Sequence, residues 1–185
     1  RHGVPLLCTA PAASGGCLGW GVGSPRQGGL SSVRLRGWVG GPMNPGAWVW
    51  YYKFIGGERC PIVDTWWQTE TGAIMIAPLP GVTTLKPGSA TRPFPGISAE
   101  IRTDSGEKVE VGGGLLAITR PWPSMLRGIY GDPERYVRQY WHKRGTGTSV
   151  TGDGANAAAS GDFLLHGPVG ARITCPRERT EGGEG

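Results

Sequence analysis

Asp64-Thr65-Trp66-Trp67-Gln68-Thr69-Glu70-Thr71-Gly72 decides how the rest of this chain reads. Nine residues carry two indoles, two carboxylates, three threonine hydroxyls and an amide, directly after the apolar run Pro61-Ile62-Val63. A strand that ends in such a cluster has the character of a ligand site, because α/β sheets bind ligands at the carboxyl ends of their strands. Paired indoles can wall a small pocket, and Asp and Thr can hydrogen-bond a base edge or phosphate oxygens. A Glu beside a Thr can hold a Mg²⁺ that rides on those phosphates. A Trp-rich core corner with capping polar groups accounts for the same residues on composition alone.

Upstream, residues 45–55 form a predicted helix. Asn44 caps it, Pro45 suits its first position and Gly56-Gly57 ends it. Its aromatics Trp48, Tyr51, Tyr52 and Phe54 make a broad apolar face. Residues 61–64 are then a short buried strand, and Ala73-Ile74-Met75-Ile76-Ala77 returns into the core after the Trp-rich loop. Downstream the period changes to two. Ile97–Arg102 alternates, Thr103-Asp104-Ser105-Gly106 supplies turn chemistry, Lys108–Val111 alternates again, and Gly114–Ile118 is a third strand. Asp132 and Pro133 open a second helix to about Trp141. Residues 143–162, rich in Gly, Ser, Thr and Ala, are expected to be loop. The architecture expected is α/β: a mostly parallel sheet with helices, followed by a small antiparallel, barrel-like β subdomain.

The 34 glycines and 16 prolines exceed a quarter of the 185 residues, a composition that leans towards low complexity. Glycine is concentrated in 15–46 and 145–170, so an ordered centre (47–142) with loosely held ends is expected. The net charge of +5 is spread thinly, which argues against a nucleic-acid face. No apolar stretch is long enough to span a membrane. Cys8, Cys17, Cys60 and Cys175 lack CxxC spacing, and His2, His142 and His166 have no helical partner. Reduced thiols and a cytoplasmic location follow as expectations. Cys60 should be an inert packer, Lys86 a surface turn residue, and His142 and His166 solvent-facing. Nothing in the residues sets an oligomeric state.

Several blocks beside the Trp-Trp signature resemble acetyl-CoA synthetases, members of the adenylate-forming superfamily. They are Gly40-Gly41-Pro42-Met43-Asn44-Pro45, the stretch Leu85–Gly96, Arg120–Met125 with Tyr130–Tyr136, and Thr151-Gly152-Asp153-Gly154-Ala155. Thr9-Ala10-Pro11 adds a further match, so the resemblance covers about 6–167. It implies a two-step ligase. Acetate attacks the α-phosphorus of Mg·ATP to give acetyl-AMP and pyrophosphate, and coenzyme A then takes the acetyl group. It also implies that Gly40, Gly41 and Pro42 lie against adenine, and that Asp64, Thr65, Trp66, Trp67, Gln68 and Thr69 line the nucleotide and acyl pockets. Thr69 and Glu70 would be catalytic, Glu70 as the Mg²⁺ partner, and Asp153 would grip the ribose. Trp67 would close the acyl pocket to acids longer than acetate or propionate.

Three positions depart from that pattern. Gly41 stands where the family has Glu, Pro168 where it has Arg, and Gly170 where it has a hinge Asp. Beyond 171 no resemblance remains. The division implied is 1–85 for the adenylate-forming α/β part, 86–167 for the β subdomain with its helix and ribose loop, and 168–185 for a degenerate hinge and disordered tail. The chain begins at Arg, so a fragment is expected, with the phosphate loop upstream and the catalytic Lys downstream. Such a piece would be inactive alone. The alternatives are a non-catalytic remnant that at most binds adenine nucleotide, a propionate–CoA ligase, or a Trp-rich carbohydrate- or peptide-binding module.

Overall fold

In the computed structural model, residues 3–10, 29–141 and 149–169 are described. His2, Cys17, His142, Cys175 and the expected tail from Gly170 onwards lie outside the described residues. The first unit is a parallel sheet of β1 (Leu6–Thr9), β2 (Leu35–Trp38) and β3 (Ile62–Asp64), with β2 central. Arg36 pairs with Ile62 and Trp38 with Asp64, so β2 and β3 end level with one another. Strand β2 falls in a stretch expected to be loosely held, and that expectation is corrected: Arg36, Gly37 and Trp38 are all buried. Leu-Arg-Gly-Trp offers no alternation, and only Trp38 in it favours strands, so flanking strands more than local preference make it a strand.

Between β2 and β3 runs helix α1 (Pro45–Trp50), continued by one π turn over Tyr51–Ile55. Asn44 caps it as expected, its side-chain oxygen accepting from the Gly46 N–H at 2.8 Å. Trp48 and Tyr51 from this segment pack with Trp38, Met43 and Ile62 in one apolar cluster. The Arg36 guanidinium is inserted beneath the π turn. It donates to the carbonyls of Tyr51 and Cys60 and lies 4.8 Å from the Tyr51 ring centroid. Burial pulls its pKa down, against the opposing fields of Tyr51, Cys60 and Tyr52. Carbonyl and ring contacts offset much of the cost of holding a cation away from water. Gly56 is required beside it, since a Cβ there would fall 2.3 Å from the guanidinium carbon. Cys60 is buried, as expected, and its thiol donates to the Val33 carbonyl at 2.8 Å.

The second unit is an antiparallel sheet in the order β5-β4-β6-β7-β8. Its strands are β4 (Ala99–Arg102), β5 (Lys108–Val109), β6 (Gly112–Ile118), β7 (Ser149–Ala157) and β8 (Phe163–Pro168). Helix α2 (Pro133–Tyr140) starts at Asp132, whose carboxylate accepts from the Arg135 N–H at 2.9 Å. The expected loop over 143–162 is also corrected, because 149–157 is the nine-residue strand β7. Thr-Gly-Asp-Gly-Ala has poor β propensity, and ladders with β6 on one side and β8 on the other impose its extended form. Leu116, Ile118, Ile101, Ala155 and Phe163 build the core here, joined by Met75 and Ile76 from the segment after the signature. Trp66 belongs to this same core, so the signature loop links the two units.

Candidate functional site

The signature's geometry follows from where its strand ends. Leaving β3, Thr65 donates twice to the Trp38 carbonyl, from its N–H at 3.0 Å and its hydroxyl at 2.8 Å. Trp38 in turn donates its indole N–H to the Gly41 carbonyl at 3.0 Å. The end of β2 therefore sets both the loop after β3 and the Gly40-Gly41-Pro42 turn. Beyond Thr65 the chain stays extended and pairs Trp66 with Ile76, so successive side chains face opposite ways. Trp66 is buried, whereas Trp67 is 45% exposed.

Trp66 is fixed by its partner. Its indole N–H donates to Asp153 Oδ2 at 2.8 Å, and the Gln68 amide donates to the same oxygen at 2.9 Å. Asp153 is thus a buried strand residue of β7, not an ordinary turn residue between glycines. Gln68 also donates to the Thr151 carbonyl at 2.9 Å. Three bonds in all tie the signature across to β7.

From Gln68 the chain turns sharply. The Thr71 hydroxyl donates to the carbonyls of Gln68 and Ala73, while Trp122 and Ser124 donate to the Thr71 carbonyl at 2.8 and 2.7 Å. Gly72 closes the turn at φ 65°, and a Cβ there would lie 2.6 Å from the Ser124 carbonyl oxygen. Only glycine meets both demands. This turn reverses the direction of Glu70.

A cavity of about 510 Å³ opens between the two units. Gly40–Pro42, Asp64–Thr69 and Asp153 all line it. These ten residues are separated by up to 113 positions in the chain, from Gly40 to Asp153 (153 − 40), yet share one enclosure. Glu70 does not join them. It lines a second cavity of about 400 Å³ under α2, where its carboxylate accepts from the Tyr140 hydroxyl at 3.0 Å. Burial first and that carboxylate second push the Tyr140 hydroxyl above its ordinary pKa. Among the described residues no three His, Cys, Asp or Glu side chains are grouped to hold a metal ion. Glu70, turned into the second cavity, is not placed to hold a Mg²⁺ beside Thr69.

Asp64 is the unusual charge of the larger cavity. It is 6% exposed, and burial pushes its carboxyl up to about 7. A neutral Asp64 presents a hydrogen-bond donor to the cavity, and an ionised one only acceptors. Lys86, expected as a surface turn residue, is 41% exposed beside the turn at 87–88, and it pairs with Asp162 and bonds Ser160 at 2.8 Å. Arg92 reaches the same carboxylate at 3.5 Å. These contacts clamp the 85–92 segment against the β7–β8 turn, behind the cavity. Leu165, His166 and Gly167 of β8 also line the cavity, with Gly88 and Ala90, and sequence reasoning missed all five; Pro168, a position where the family pattern has Arg, lines it too. Recognising Thr151–Ala155 as a strand would have placed β8 beside it.

With that geometry in hand, likeness to known proteins has a structural meaning. Residues 1–130 match the family described as AMP-binding enzyme. The chain is 55% identical over 170 residues to the acetyl-coenzyme A synthetase of Streptomyces avermitilis, covering 91% of this chain and 26% of that protein. Corresponding enzymes of Rubrobacter xylanophilus and Methylobacillus flagellatus are 54% and 51% identical over the same length. The chain thus spans about a quarter (26%) of the length of these curated relatives. Its fold is similar to that of the acetoacetyl-CoA synthetase from Streptomyces lividans, with a TM-score of 0.79 at 24% identity over 90% of this chain and 26% of that one. No described helix is long and apolar enough to cross a membrane. With its matched residues running through both the parallel sheet and the signature loop, the chain belongs to the AMP-binding enzyme family.

Proposed function

We propose that this chain is the nucleotide- and acyl-binding part of an acetate–CoA ligase. The observation that carries the proposal is the convergence of Gly40–Pro42, Asp64–Thr69 and Asp153 on one cavity. Adenine lies against the Gly40–Pro42 turn, whose shape Trp38 holds through the Gly41 carbonyl. Asp153 keeps Oδ2 for Trp66 and Gln68, so the ribose hydroxyls are met by Oδ1. The Thr69 hydroxyl points the reacting phosphate. Acetate sits against Trp67, and its carboxylate oxygen attacks the α-phosphorus of ATP with loss of pyrophosphate. The coenzyme A thiol then takes the acetyl group and AMP leaves. The part played by this chain is positioning and exclusion of longer acids, not covalent chemistry.

Glu70 contacts the phosphates only if the 68–72 turn reopens, because Tyr140 holds its carboxylate under α2. The unpaired thiols of Cys8 and Cys60 are in keeping with a cytoplasmic protein. Gly41 and Pro168 place no charge where the family pattern has Glu and Arg, and this favours the second reading, a remnant that binds adenine nucleotide without turnover.

Alkyl esters of AMP test the acyl assignment directly, because each carries adenine, ribose, phosphate and a chain of chosen length. The chain should bind the ethyl ester, reject the hexyl ester, and accept the hexyl ester once Trp67→Gly opens the wall. A steric wall discriminates better than the ~1–3 kcal/mol available per methylene by attraction. Equal affinity for both esters in the unaltered chain, or no change on Trp67→Gly, removes Trp67 from the acyl pocket.

A further inference from the structure

Phosphate binding needs positive charge or donors, yet the larger cavity is lined with carboxylates. Asp64 and Asp153 face it, and no Lys or Arg is among the described residues that line it. One lining side chain can become cationic, and it is His166.

Its position is a product of strand geometry. In the β7–β8 ladder Gly154 pairs with Gly167, but the next residue of β7, Ala155, pairs with Leu165. His166 is therefore the extra residue of a β-bulge. A regular strand would send Leu165 and His166 to opposite faces. The bulge lets both line one cavity, the kind of re-aiming that bulges perform beside binding sites. The adjoining Gly167 lies against the Gly40–Pro42 turn, with a Cβ built on it 3.8 Å from Pro42 Cδ. His166, exposed and next to Gly167, thus lines the rim of the cavity that Thr69 and Asp153 also line.

We propose that His166 is a ligand-binding residue of this cavity, donating a hydrogen bond, and when protonated a positive charge, to the phosphate of an adenine nucleotide. The assignment rests on the nucleotide reading above and extends it to a residue outside the signature. Asp153 from β7 and Asp64 from the end of β3 line the same cavity as His166, and the Gly40–Pro42 turn and the 88–90 segment bring no charge. Burial pushes the Asp64 carboxyl up to about 7, and it repels phosphate once ionised. Acid therefore favours a phosphate ligand through Asp64, and substitution must separate that effect from the His166 hydrogen bond.

Titrations of AMP and of adenosine into the full chain, at about pH 6 and about pH 8, make that separation. The unaltered chain should bind AMP more tightly at the lower pH, with adenosine nearly indifferent. His166→Gln, at an exposed position that leaves the core alone, should weaken AMP about three- to tenfold at the lower pH and leave adenosine unchanged. Asp64→Asn should retain the loss produced by His166→Gln. AMP affinity unmoved by His166→Gln at both pH values overturns the assignment while leaving the nucleotide reading intact. Failure of both AMP and adenosine to bind the unaltered chain overturns the nucleotide reading, and this assignment with it.

Discussion

The antiparallel sheet and the parallel sheet meet the same demand, burial of apolar faces, with unequal success. Five hydrogen-bonded strands surround a core that includes Ile76, Ile101, Leu116 and Ile118, each at most 2% exposed. The parallel sheet has three strands, and its edge strand β1 leaves Leu6 54% exposed beside Val4 at 52%. Parallel sheets are ordinarily covered on both faces. Among the described residues, the segment between β2 and β3 supplies one helix, α1 with its π turn, to cover this one. The antiparallel unit is thus close to self-sufficient, while the parallel unit presents surface that another element would bury. The cavity proposed to hold the nucleotide lies where the two meet, and its quality depends on the weaker partner.

The largest expected effect separates the two sheets. Leu116→Ala at the centre of β6 should lower unfolding free energy by about 2–5 kcal/mol, whereas Leu6→Ala on β1 should cost about 0.5 kcal/mol or less. Urea denaturation of both variants measures this, and equal losses would erase the contrast. Asp64 comes next. Its folded pKa lies above the usual carboxyl value, so its contribution is intact below about pH 4 and is lost as pH rises towards 7. Asp64→Asn should therefore stabilise the chain at alkaline pH, by at most on the order of 4 kcal/mol, and do little near pH 4. A gain that is independent of pH would show that Asp64 is not held neutral by burial.

The smallest effect tests the clamp behind the cavity. Burial pushes the Asp162 carboxyl up, but hydrogen bonds from Lys86 and Ser160 outweigh it and hold the pKa below the usual range. Its stabilisation is present at neutral pH and lost as pH falls through the lowered value. Lys86 is 41% exposed, so solvent screens the pair, and Asp162→Asn should cost only about 1 kcal/mol near pH 7. That cost should vanish in acid, as followed by thermal unfolding at several pH values.

Legibility in the sequence tracked how locally each feature is encoded. Both helices announced themselves through Asn44-Pro45 and Asp132-Pro133, because capping and a fixed proline φ act within a few residues. The alternation of Ile97–Arg102 likewise specified a strand. Leu35–Trp38 and Ser149–Ala157 did not, since their extended form is imposed by ladders to segments distant in the chain. Asp64–Thr69 stood out as a ligand cluster at a strand end, but Gly40–Pro42 and Asp153 joined it only through resemblance to a family, whose curated relatives the chain spans for 26% of their length. No local pattern links Gly40 to Asp153. The reversal of Glu70 was hidden because it depends on Trp122 and Ser124 gripping the Thr71 carbonyl. His166 is exposed, as expected, but its place on the cavity rim escaped because it depends on a bulge invisible in period-two alternation.

That opposition between Asp153 and Glu70 gives the most direct test of the two-sheet cavity. AMP should be titrated by equilibrium dialysis into the unaltered chain, Asp153→Asn and Glu70→Gln. Asparagine can still accept from Trp66 and Gln68, so the fold is spared while the ribose-facing charge is removed. One saturable site is predicted, weakened about tenfold by Asp153→Asn and untouched by Glu70→Gln. No saturable binding, or a loss with Glu70→Gln that Asp153→Asn does not match, would contradict the cavity as the nucleotide site.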